Sequence, residues 1–431
     1  MAVSRSNNGR RVAIVHGLRT PFVKCGTLFR NLTSLDLGKI AAVELLNRTE
    51  IVPKDIDKVF IGSVIPSVKT PNLAREIALG SGIPATVPAF TVTSACASAM
   101  QAFTSAVDSI LSGDSDIVLA GGADTVHDSP YLGGRGTRSR LYDSINLIEK
   151  AMPLLKMGAG ESAFSLPLLP ERYAGYTLGE SAEKLARRYQ IGRDEQDSFA
   201  VRSHTLASRA QTEGIFEDEI IHTFVPPDFT EIVSADNSVR YDISVEALSG
   251  LPPLFDKEFG TVTDGNSAPL TDGASVILLM SEDKARALGY KPIAYVRSYA
   301  YAAVDPSDEL LMGPAYSTPA ALERAGIGLD EIDLVEIHEP FSSQVISYVR
   351  ALDSKGFAKE KLGRSQPVGE VDMEKLNISG GSIAIGHTLG ATGARIIMTL
   401  AYRMSKRKGN FGLVSLASAG GLGVSIVLEK E

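Results

Sequence analysis

The chain has 431 residues, 44% of them hydrophobic and 22% charged, with a formal net charge of −8. Domains usually span roughly 100 to 200 residues, so this length predicts two or three units around a large core. The composition argues against disorder, and the acidic balance argues against nucleic acid as a partner. The polar first residues and the short apolar runs predict neither a signal peptide nor a membrane span, so we expect a cytoplasmic protein.

The first part of the chain alternates predicted strands with predicted helices, as expected of an α/β fold. Strands are predicted for residues 11–15, 57–64, 89–93 and 116–120, and helices for residues 35–47 and 96–111. The second of these helices carries large apolar side chains on one face and is followed by Gly113, which favours a helix end. We therefore expect that helix to be buried between layers.

The same alternation starts again near residue 292. Strands are predicted for residues 292–296, 332–338 and 411–416, and helices for residues 318–325 and 390–404. Residues 56–61 and 332–337 share the pattern Ile-Asp-x-Val-x-Ile in register. This repetition indicates an internal duplication, with two similar α/β halves packed against each other.

A long insertion separates the halves. We predict an N-terminal half at residues 1–126, completed by about 254–282, an inserted loop domain at 127–253, and a C-terminal half at 283–431. The insertion contains two predicted helices, at 180–189 and 193–213, and a stretch rich in Pro and Gly at 152–179. Long inserted loops are usually functional, so we expect a lid over a substrate tunnel. We expect the apolar residues of the insertion to pack in the core. The alternative is that they form a docking surface for a partner or a membrane. These residues are Leu147, Ile148, Leu154, Leu155 and Met157.

Two cysteines are present, and one of them lies where a nucleophile is expected. Cys25 and Cys96 form no CxxC pair and have no His at ligand spacing, which argues against a disulfide framework or a structural zinc site. Cys96 follows a predicted strand and begins a predicted helix, where backbone N–H groups and the positive helix end stabilise a thiolate. A buried cysteine is also often a small apolar core residue, so a nucleophile here needs a base nearby.

His387 is the first candidate for that base. It lies in a Gly-rich segment, residues 377–393, which either brings the backbone close to a ligand or forms a structural turn. Because the halves are related by pseudo-symmetry, the starts of their last helices should meet at the centre of the molecule. His387 would then lie near Cys96.

Two further features are ambiguous on their own. His338 ends a predicted strand, where it either bonds locally or orients a water and donates to a developing oxyanion. The segment 415–423 joins two apolar strands, as a plain hairpin with glycines at the turn or as an oxyanion hole.

Together these motifs resemble the thiolase family over nearly the whole chain, from residues 19–22 to the last strand. The resemblance is closest to 3-ketoacyl-CoA thiolases and the β subunit of the fatty-acid-oxidation trifunctional enzyme. The segments that carry it are residues 91–96, 260–267, 270–274, 338–341 and 386–387. It implies a five-layered αβαβα fold of two similar halves, a loop domain that holds coenzyme A, and ping-pong acyl transfer.

The resemblance also assigns roles. Cys96 takes the acyl group, His387 activates it, and His338 holds a catalytic water in a first oxyanion hole. The backbone of Cys96 and of the turn at Ala419 and Gly420 forms a second oxyanion hole. The expected substrate contacts are Asn266, Ser267, Ala268 and Asn377.

The same resemblance implies no metal or redox cofactor, since the thioester supplies the activation and coenzyme A is a substrate or product. The expected partner is a second copy of the chain, in a dimer or a dimer of dimers. By analogy with the trifunctional enzyme, a hydratase and dehydrogenase subunit is a further candidate partner. Acyl chain length, direction of reaction and carrier, coenzyme A or an acyl-carrier protein, stay open.

The chain departs from the family where a second cysteine acts as acid and base. Ala417 occupies the usual position and Pro340 the position used by another branch, while no motif brings Cys25 to the site. Losing such a group costs about 10² to 10⁴ in rate, so a water or His338 would have to replace it. Smaller departures are Thr388 in place of a common Pro and Ala268 in place of a common Ser.

The missing thiol leaves two alternatives to an ordinary thiolase. The remaining Cys-His-His set is similar to that of decarboxylating ketosynthases, in which loss of carbon dioxide generates the carbanion. The other alternative is a catalytically impaired, thiolase-like subunit that binds a partner or acyl-CoA without turnover.

Overall fold

The computed structural model describes residues 9–127 and 172–431. The apolar residues at 147–157 and most of the Pro- and Gly-rich stretch lie outside the described residues. No helix among those described is long and apolar enough to span a bilayer.

The described chain alternates strands and helices in both halves. The strands are β1 Val12–Arg19, β2 Val23–Lys24, β3 Lys58–Gly62, β4 Ala89–Val92, β5 Ile117–Asp124, β6 Thr223–Val225, β7 Glu231–Val233, β8 Thr271–Ser281, β9 Ala294–Ala303, β10 Leu334–Ile337, β11 Phe411–Ser418 and β12 Leu422–Glu429. The α-helices are α1 Ser34–Thr49, α2 Leu73–Gly80, α3 Ser98–Leu111, α4 Leu178–Arg188, α5 Arg193–Thr212, α6 Val245–Ser249, α7 Glu282–Ala287, α8 Pro306–Glu309, α9 Gly313–Ala325, α10 Ser342–Leu352, α11 Lys355–Lys361, α12 Ser382–Ile385 and α13 Thr392–Ser405.

The strands of the two halves form one continuous hydrogen-bonded sheet in the order β10-β11-β12-β9-β1-β8-β5-β3-β4, with β2 pairing β8. The halves join where Ala13 and Ile14 pair with Tyr295 and Ala294. In each half a parallel pair, β3 with β5 or β10 with β11, lies next to an antiparallel neighbour. From the junction outwards, the order β1-β8-β5-β3 mirrors the order β9-β12-β11-β10, as a duplicated unit requires, and β4 lies beyond β3.

Three large apolar clusters define the layers. The central cluster packs α3 and α13 between the two halves of the sheet, with Met100, Phe103, Ile397 and Leu400 all fully buried. A second cluster places α1 and α2 on the outer face of the N-terminal half, and a third places α9 and α10 on the outer face of the C-terminal half. The chain therefore has the predicted αβαβα layering.

The ends of the predicted helices lie within two residues of the prediction, except at the start of α9. Helix α9 begins at Gly313, five residues before its predicted start at residue 318, with Pro314 in its first turn and Pro319 inside it. Proline suits a first turn but interrupts the helical pattern further in, which hid the start. Helix α3 begins at Ser98 and not at Cys96, so the thiol precedes the helix.

The two halves touch through glycine backbone near their last helices. A side-chain carbon at Gly122, in β5, would overlap the carbonyl oxygen of Gly390, just before α13. The Gly390 N–H donates to Asp124 Oδ2 at 2.6 Å, and Asp124 also accepts from the backbone N–H groups of Val64 and Ile65. Asp124 thereby joins the loop after β3 to the segment that follows His387.

A buried ion-pair cluster ties residues 219–236 to the first strand. The Arg19 guanidinium donates to both Asp236 oxygens, at 2.6 and 2.9 Å, and its Nε donates to Glu219 Oε1 at 3.1 Å. All three side chains are fully buried. This cluster fixes the region after α5 against the core of the N-terminal half.

Candidate active site

Cys96 lies in a tight turn between β4 and α3. The Ala97 N–H donates to the Ser94 carbonyl, and the Ser98 N–H donates to the Ala95 carbonyl, both at 3.0 Å. Ala95 adopts a positive φ of 46°, which is uncommon for a residue with a side chain and marks a constrained position. The turn places the half-buried thiol beside the first backbone N–H groups of the helix.

A small apolar cluster surrounds the thiol, and we call it the thiol cluster. Its buried members are Ile65, Val126 and Leu389, and the half-buried residues packed against it are Cys25, Val64, Cys96 and Leu270. Leu389 is two residues beyond His387, and Leu270 is bridge-paired with His387. The segments that carry Cys96 and His387 therefore meet at this cluster.

Cys25 reaches the same cluster although no sequence motif indicated it. Its N–H donates to the Leu270 carbonyl at 3.1 Å, next to the pairing of β2 with β8. Burial, together with the nearby Asp272 carboxylate, raises the pKa of the Cys25 thiol to about 11. Two-residue β2 is too short for a periodicity signal, so only the three-dimensional pairing reveals this position.

His387 is held on a turn by backbone hydrogen bonds on both sides. Its N–H donates to the Pro269 carbonyl at 2.8 Å, and its carbonyl accepts from the Thr271 N–H at 3.1 Å. Gly386 precedes it with φ 103°, a conformation that a side chain rarely permits. The imidazole is thus fixed in a nearly closed site, 5% exposed.

The hydrogen bonds of Thr392 determine which nitrogen of His387 carries the proton. The Thr392 hydroxyl donates to the Thr388 carbonyl at 2.9 Å, because a carbonyl only accepts. The same hydroxyl lies 2.8 Å from His387 Nδ1, so Nδ1 must be the donor in that contact. Neutral His387 then has a lone pair at Nε2, which is the form that can take a proton from a thiol.

His338 directly follows β10, and its ring lies beside that of His387. The two ring centroids lie 4.2 Å apart at an interplanar angle of 41°. Burial, then the neighbouring His387 and Arg395, lowers the pKa of His338 well below its usual value. Burial and Arg395 lower the pKa of His387 to about 3. Both rings are therefore neutral near pH 7, and neither Nε2 has a hydrogen-bond partner among the described residues.

Asn377 and Glu339 hold the strand end that carries His338. The Asn377 amide donates to the Ile337 carbonyl at 2.9 Å and to Glu339 Oε1 at 2.6 Å, and its oxygen accepts from the Ile337 N–H at 2.7 Å. Glu339 Oε2 also accepts from the Ser203 hydroxyl at 2.7 Å and from the Ile383 N–H at 3.1 Å. The buried Asn377 side chain thus supports the histidine turn from within the protein.

The loop before β8 contains the other predicted substrate contacts. Asn266 is fully buried, and its amide donates to Asp197 Oδ1 at 2.9 Å and to the Thr261 carbonyl at 3.0 Å. The amide thus joins this loop to α5, which contains Asp197. Ser267 is half-buried and bridge-paired with Phe341, while the Ala268 N–H donates to the Pro340 carbonyl at 3.0 Å. Ser267 and Ala268 therefore lie beside the turn that follows His338.

Ala417, Ala419 and Gly420 belong to the hairpin between β11 and β12. Ala417 is 3% exposed and packs in the outer cluster of the C-terminal half, so no polar group replaces a thiol at that position. Ala419 and Gly420 form the turn, with φ 79° at Gly420. The Ser418 hydroxyl donates to the Ser94 carbonyl at 3.0 Å, which places this turn next to the Cys96 turn.

The geometry combines a thiol, a neutral base and a second buried imidazole at the junction of two pseudo-symmetric halves. Such a set suits covalent acyl transfer through a thioester, since the acyl group requires a nucleophile, a proton acceptor and donors for an oxyanion. Within the described ranges no cluster of three His, Cys, Asp or Glu residues is arranged to hold a metal ion.

Comparisons with known proteins agree with this architecture. Residues 12–283 match the N-terminal domain of thiolases and residues 290–430 match the C-terminal domain. A 3-ketoacyl-CoA thiolase of Shewanella sp. (strain W3-18-1) is 43% identical over 426 residues, which cover 98% of each chain. One from Shewanella loihica is 42% identical over 434 residues, covering 99% of this chain and 98% of that one. The chain belongs to the thiolase family.

Solved structures show the same fold. A Bacillus anthracis acetyl-CoA acetyltransferase superimposes with a TM-score of 0.85 and 34% identity, over 97% of this chain and 98% of that one. Human mitochondrial 3-ketoacyl-CoA thiolase in complex with CoA superimposes with a TM-score of 0.83 and 30% identity, over 98% of each chain.

Proposed function

We propose that the chain is an acyl-CoA acyltransferase of the thiolase type that works through a thioester on Cys96. One observation supports this most: the lone pair of His387 Nε2 is available as a base, and the segments on both sides of His387 reach the cluster against which the half-buried Cys96 packs. A neutral imidazole suits a buried base, since His387 carries no charge until it takes a proton.

In the first half-reaction the Cys96 sulfur attacks the thioester carbonyl while its proton passes to His387 Nε2. We propose that the backbone N–H groups of Cys96 and of the turn at Ala419 and Gly420 stabilise the negative charge that develops on this carbonyl oxygen, while His338 donates to a catalytic water in the other oxyanion hole. The bond to the coenzyme A sulfur breaks, and His387 returns the proton to that leaving thiol. Cys96 is left acylated and His387 neutral.

In the thiolytic direction the Cys96 sulfur attacks the 3-keto carbon, its proton passes to His387 Nε2, and the bond to the α-carbon breaks. The resulting enolate needs a proton, and Ala417 offers none. We propose that an ordered water or His338 gives the enolate its proton and regains one from His387, and that this step is slow. The coenzyme A thiol then passes its proton to His387 and attacks the thioester on Cys96. The shortened acyl-CoA is released, and His387 returns the proton to the Cys96 sulfur.

The direct test is to incubate the native protein and a Cys96→Ala variant with acetyl-CoA and measure intact mass. We expect one acetyl group on the native protein, mapped to Cys96, and none on the variant. Cys25→Ser is the matched control and should still be acylated. A native protein that gains no mass on Cys96 contradicts the proposal.

A second candidate function, decarboxylative condensation, is favoured by the apolar surroundings of Ala417. If carbon dioxide loss generates the carbanion, no base must remove an α-proton. An assay that compares malonyl and acetyl donors on acylated enzyme separates the two functions, since equal turnover contradicts decarboxylation. Ala417→Cys should raise acetoacetyl-CoA cleavage if the thiolase reaction is the native one.

We also propose that residues 127–253 hold coenzyme A and that a second copy of the chain is a partner. The complex of the human relative with CoA supports the ligand. Strand β4 supports the second copy, since it lies at the end of the sheet and Phe90 is 48% exposed there. Light scattering of the native chain and of a Phe90→Asp variant tests the assembly, with a smaller particle expected for the variant.

A further inference from the structure

A buried polar chain lies behind His338 and takes no part in the steps above. His338 Nδ1 lies 2.8 Å from the Ser382 hydroxyl, and Arg395 Nη2 donates to the same hydroxyl at 2.9 Å. Arg395 Nη1 lies 4.0 Å from Glu336 Oε2. Ser382 and Arg395 are fully inaccessible, and Glu336 is 1% exposed.

The hydroxyl of Ser382 has only one proton to give. A guanidinium only donates, so Ser382 must accept from Arg395. Among the described residues the only other contact of this hydroxyl is His338 Nδ1. If Nδ1 carried the proton, the Ser382 proton would have no acceptor in a buried site, which costs free energy. Nδ1 is therefore the acceptor, and the proton of neutral His338 resides on Nε2.

Arg395 is unusual enough to require a reason beyond packing. Its Nε and Nη1 have no hydrogen-bond partner in the described part of the chain, and neither has Glu336 Oε2. A buried charge with incomplete hydrogen bonding is costly, and an apolar pair of similar volume often serves stability as well. Its retention directly behind Ser382 points to a role in the site.

We infer that Ser382 and Arg395 are positioning residues that fix His338 as the Nε2–H tautomer. This inference rests on the proposed function, in which His338 acts as an N–H donor. The two adjacent imidazoles then have opposite roles, since His387 Nε2 accepts a proton and His338 Nε2 donates a hydrogen bond. The same two residue types thus serve as base and donor because different hydroxyls lie behind them.

The first test reads the tautomer in the native protein by ¹⁵N NMR of imidazole-labelled histidine. The chain has 6 His, so a His338→Asn variant identifies the signal. We expect the proton of His338 on Nε2 and that of His387 on Nδ1. A proton on Nδ1 of His338 overturns the inference, whether or not any variant folds.

The second test compares Ser382→Ala with Ser347→Ala. Ser347 is an equally buried serine in α10 whose hydroxyl donates to the Ser343 carbonyl. Deleting an oxyanion donor typically costs roughly 10² to 10³ in kcat, so loss of its orientation should cost about 10- to 100-fold. We expect that fall in kcat for Ser382→Ala, with KM within about twofold of native.

We also expect Ser382→Thr, which keeps the hydroxyl, to recover most of the lost kcat. Unchanged kcat in folded Ser382→Ala, or an equal fall in Ser347→Ala, overturns the inference. Failure of the proposed function is distinguishable, since native enzyme would then carry no acyl group on Cys96 whatever the tautomer of His338.

Discussion

His338 and His387 lie with their ring centroids 4.2 Å apart, and hydrogen bonds at their Nδ1 atoms hold the rings in opposite tautomers. The Thr392 hydroxyl accepts from one ring because its own proton goes to a carbonyl. The Ser382 hydroxyl donates to the other ring because it already accepts from Arg395. Two chemically equal side chains thereby acquire different reactivity from their neighbours.

Substitution of Thr392 should impair the base directly. Thr392→Val keeps the shape and removes the acceptor for His387 Nδ1–H, so the lone pair at Nε2 is no longer enforced. We expect acylation of Cys96 to slow about 10- to 100-fold, less than the roughly 10⁴-fold seen when a catalytic His is held in the wrong tautomer. Quenched-flow mass measurement gives the rate. Thr392→Ser keeps the hydroxyl and should stay within about threefold of native; equal losses in both variants would contradict this prediction.

The two cysteines should differ in reactivity towards iodoacetamide. The raised pKa of Cys25, about 11, leaves about 0.1% thiolate at pH 8. We expect the native protein to be modified at Cys96 at least about 10-fold faster than at Cys25, as read by peptide mass mapping. A Cys96→Ser variant should take up little label over the same time. Preferential labelling of Cys25 would show that its thiol is less shielded than the structure indicates.

Stability should fall on acidification because buried histidines must gain protons on unfolding. The pKa of His387 is about 3 in the folded protein, against an ordinary histidine value of 6.5, so the unfolded chain binds the extra proton between these limits. The part of the folding stability that depends on neutral His387 is complete above pH 6.5. As the pH falls it is lost, and the free energy of unfolding decreases by about 2 kcal/mol between pH 7 and pH 5. His387→Asn removes it. Unfolding midpoints at the two pH values should therefore differ less in the variant than in the native protein, and an equal difference would disprove the assignment.

Breaking the Arg19 cluster should destabilise the protein strongly. Arg19→Met leaves the Glu219 and Asp236 carboxylates buried without a cation, which typically costs about 3 to 5 kcal/mol. The matched control is Arg209→Met, because Arg209 pairs with Glu213 at the surface, where ion pairs contribute little. We expect a large fall in the thermal midpoint for the first variant and almost none for the second. Similar shifts in both would contradict the prediction.

The layered fold was predictable because its signals are local and repeated. The matching segments at 56–61 and 332–337 overlap the equivalent strands β3 and β10. The apolar face of residues 96–111 lies in the central layer, as predicted. Boundaries were less predictable where proline occurs inside a helix, as at Pro319. Proline disfavours a helix at this position, and tertiary packing stabilises the helix despite it.

The site was only partly predictable, since motifs identify the reacting groups and not their supports. Nothing in the sequence couples Ser382 to His338 or Thr392 to His387, because such bonds depend on ring orientation. Asn266 stays a predicted substrate contact, and no motif indicated that its amide donates to Asp197 in α5 and to the Thr261 carbonyl. Cys25 was set aside for want of a motif, and a two-residue strand brings it to the thiol cluster.

Because Gly122 and Gly390 approach each other so closely, catalytic activity depends on how the two halves pack together. Nucleophile and base come from different halves, and near them the halves meet through main chain that leaves no room for even a methyl group at Gly122. Any drift in one half must be matched in the other, so the copies remain mechanically coupled long after their sequences have diverged. A change that loosens the packing between the halves would therefore abolish activity before the secondary structure is lost.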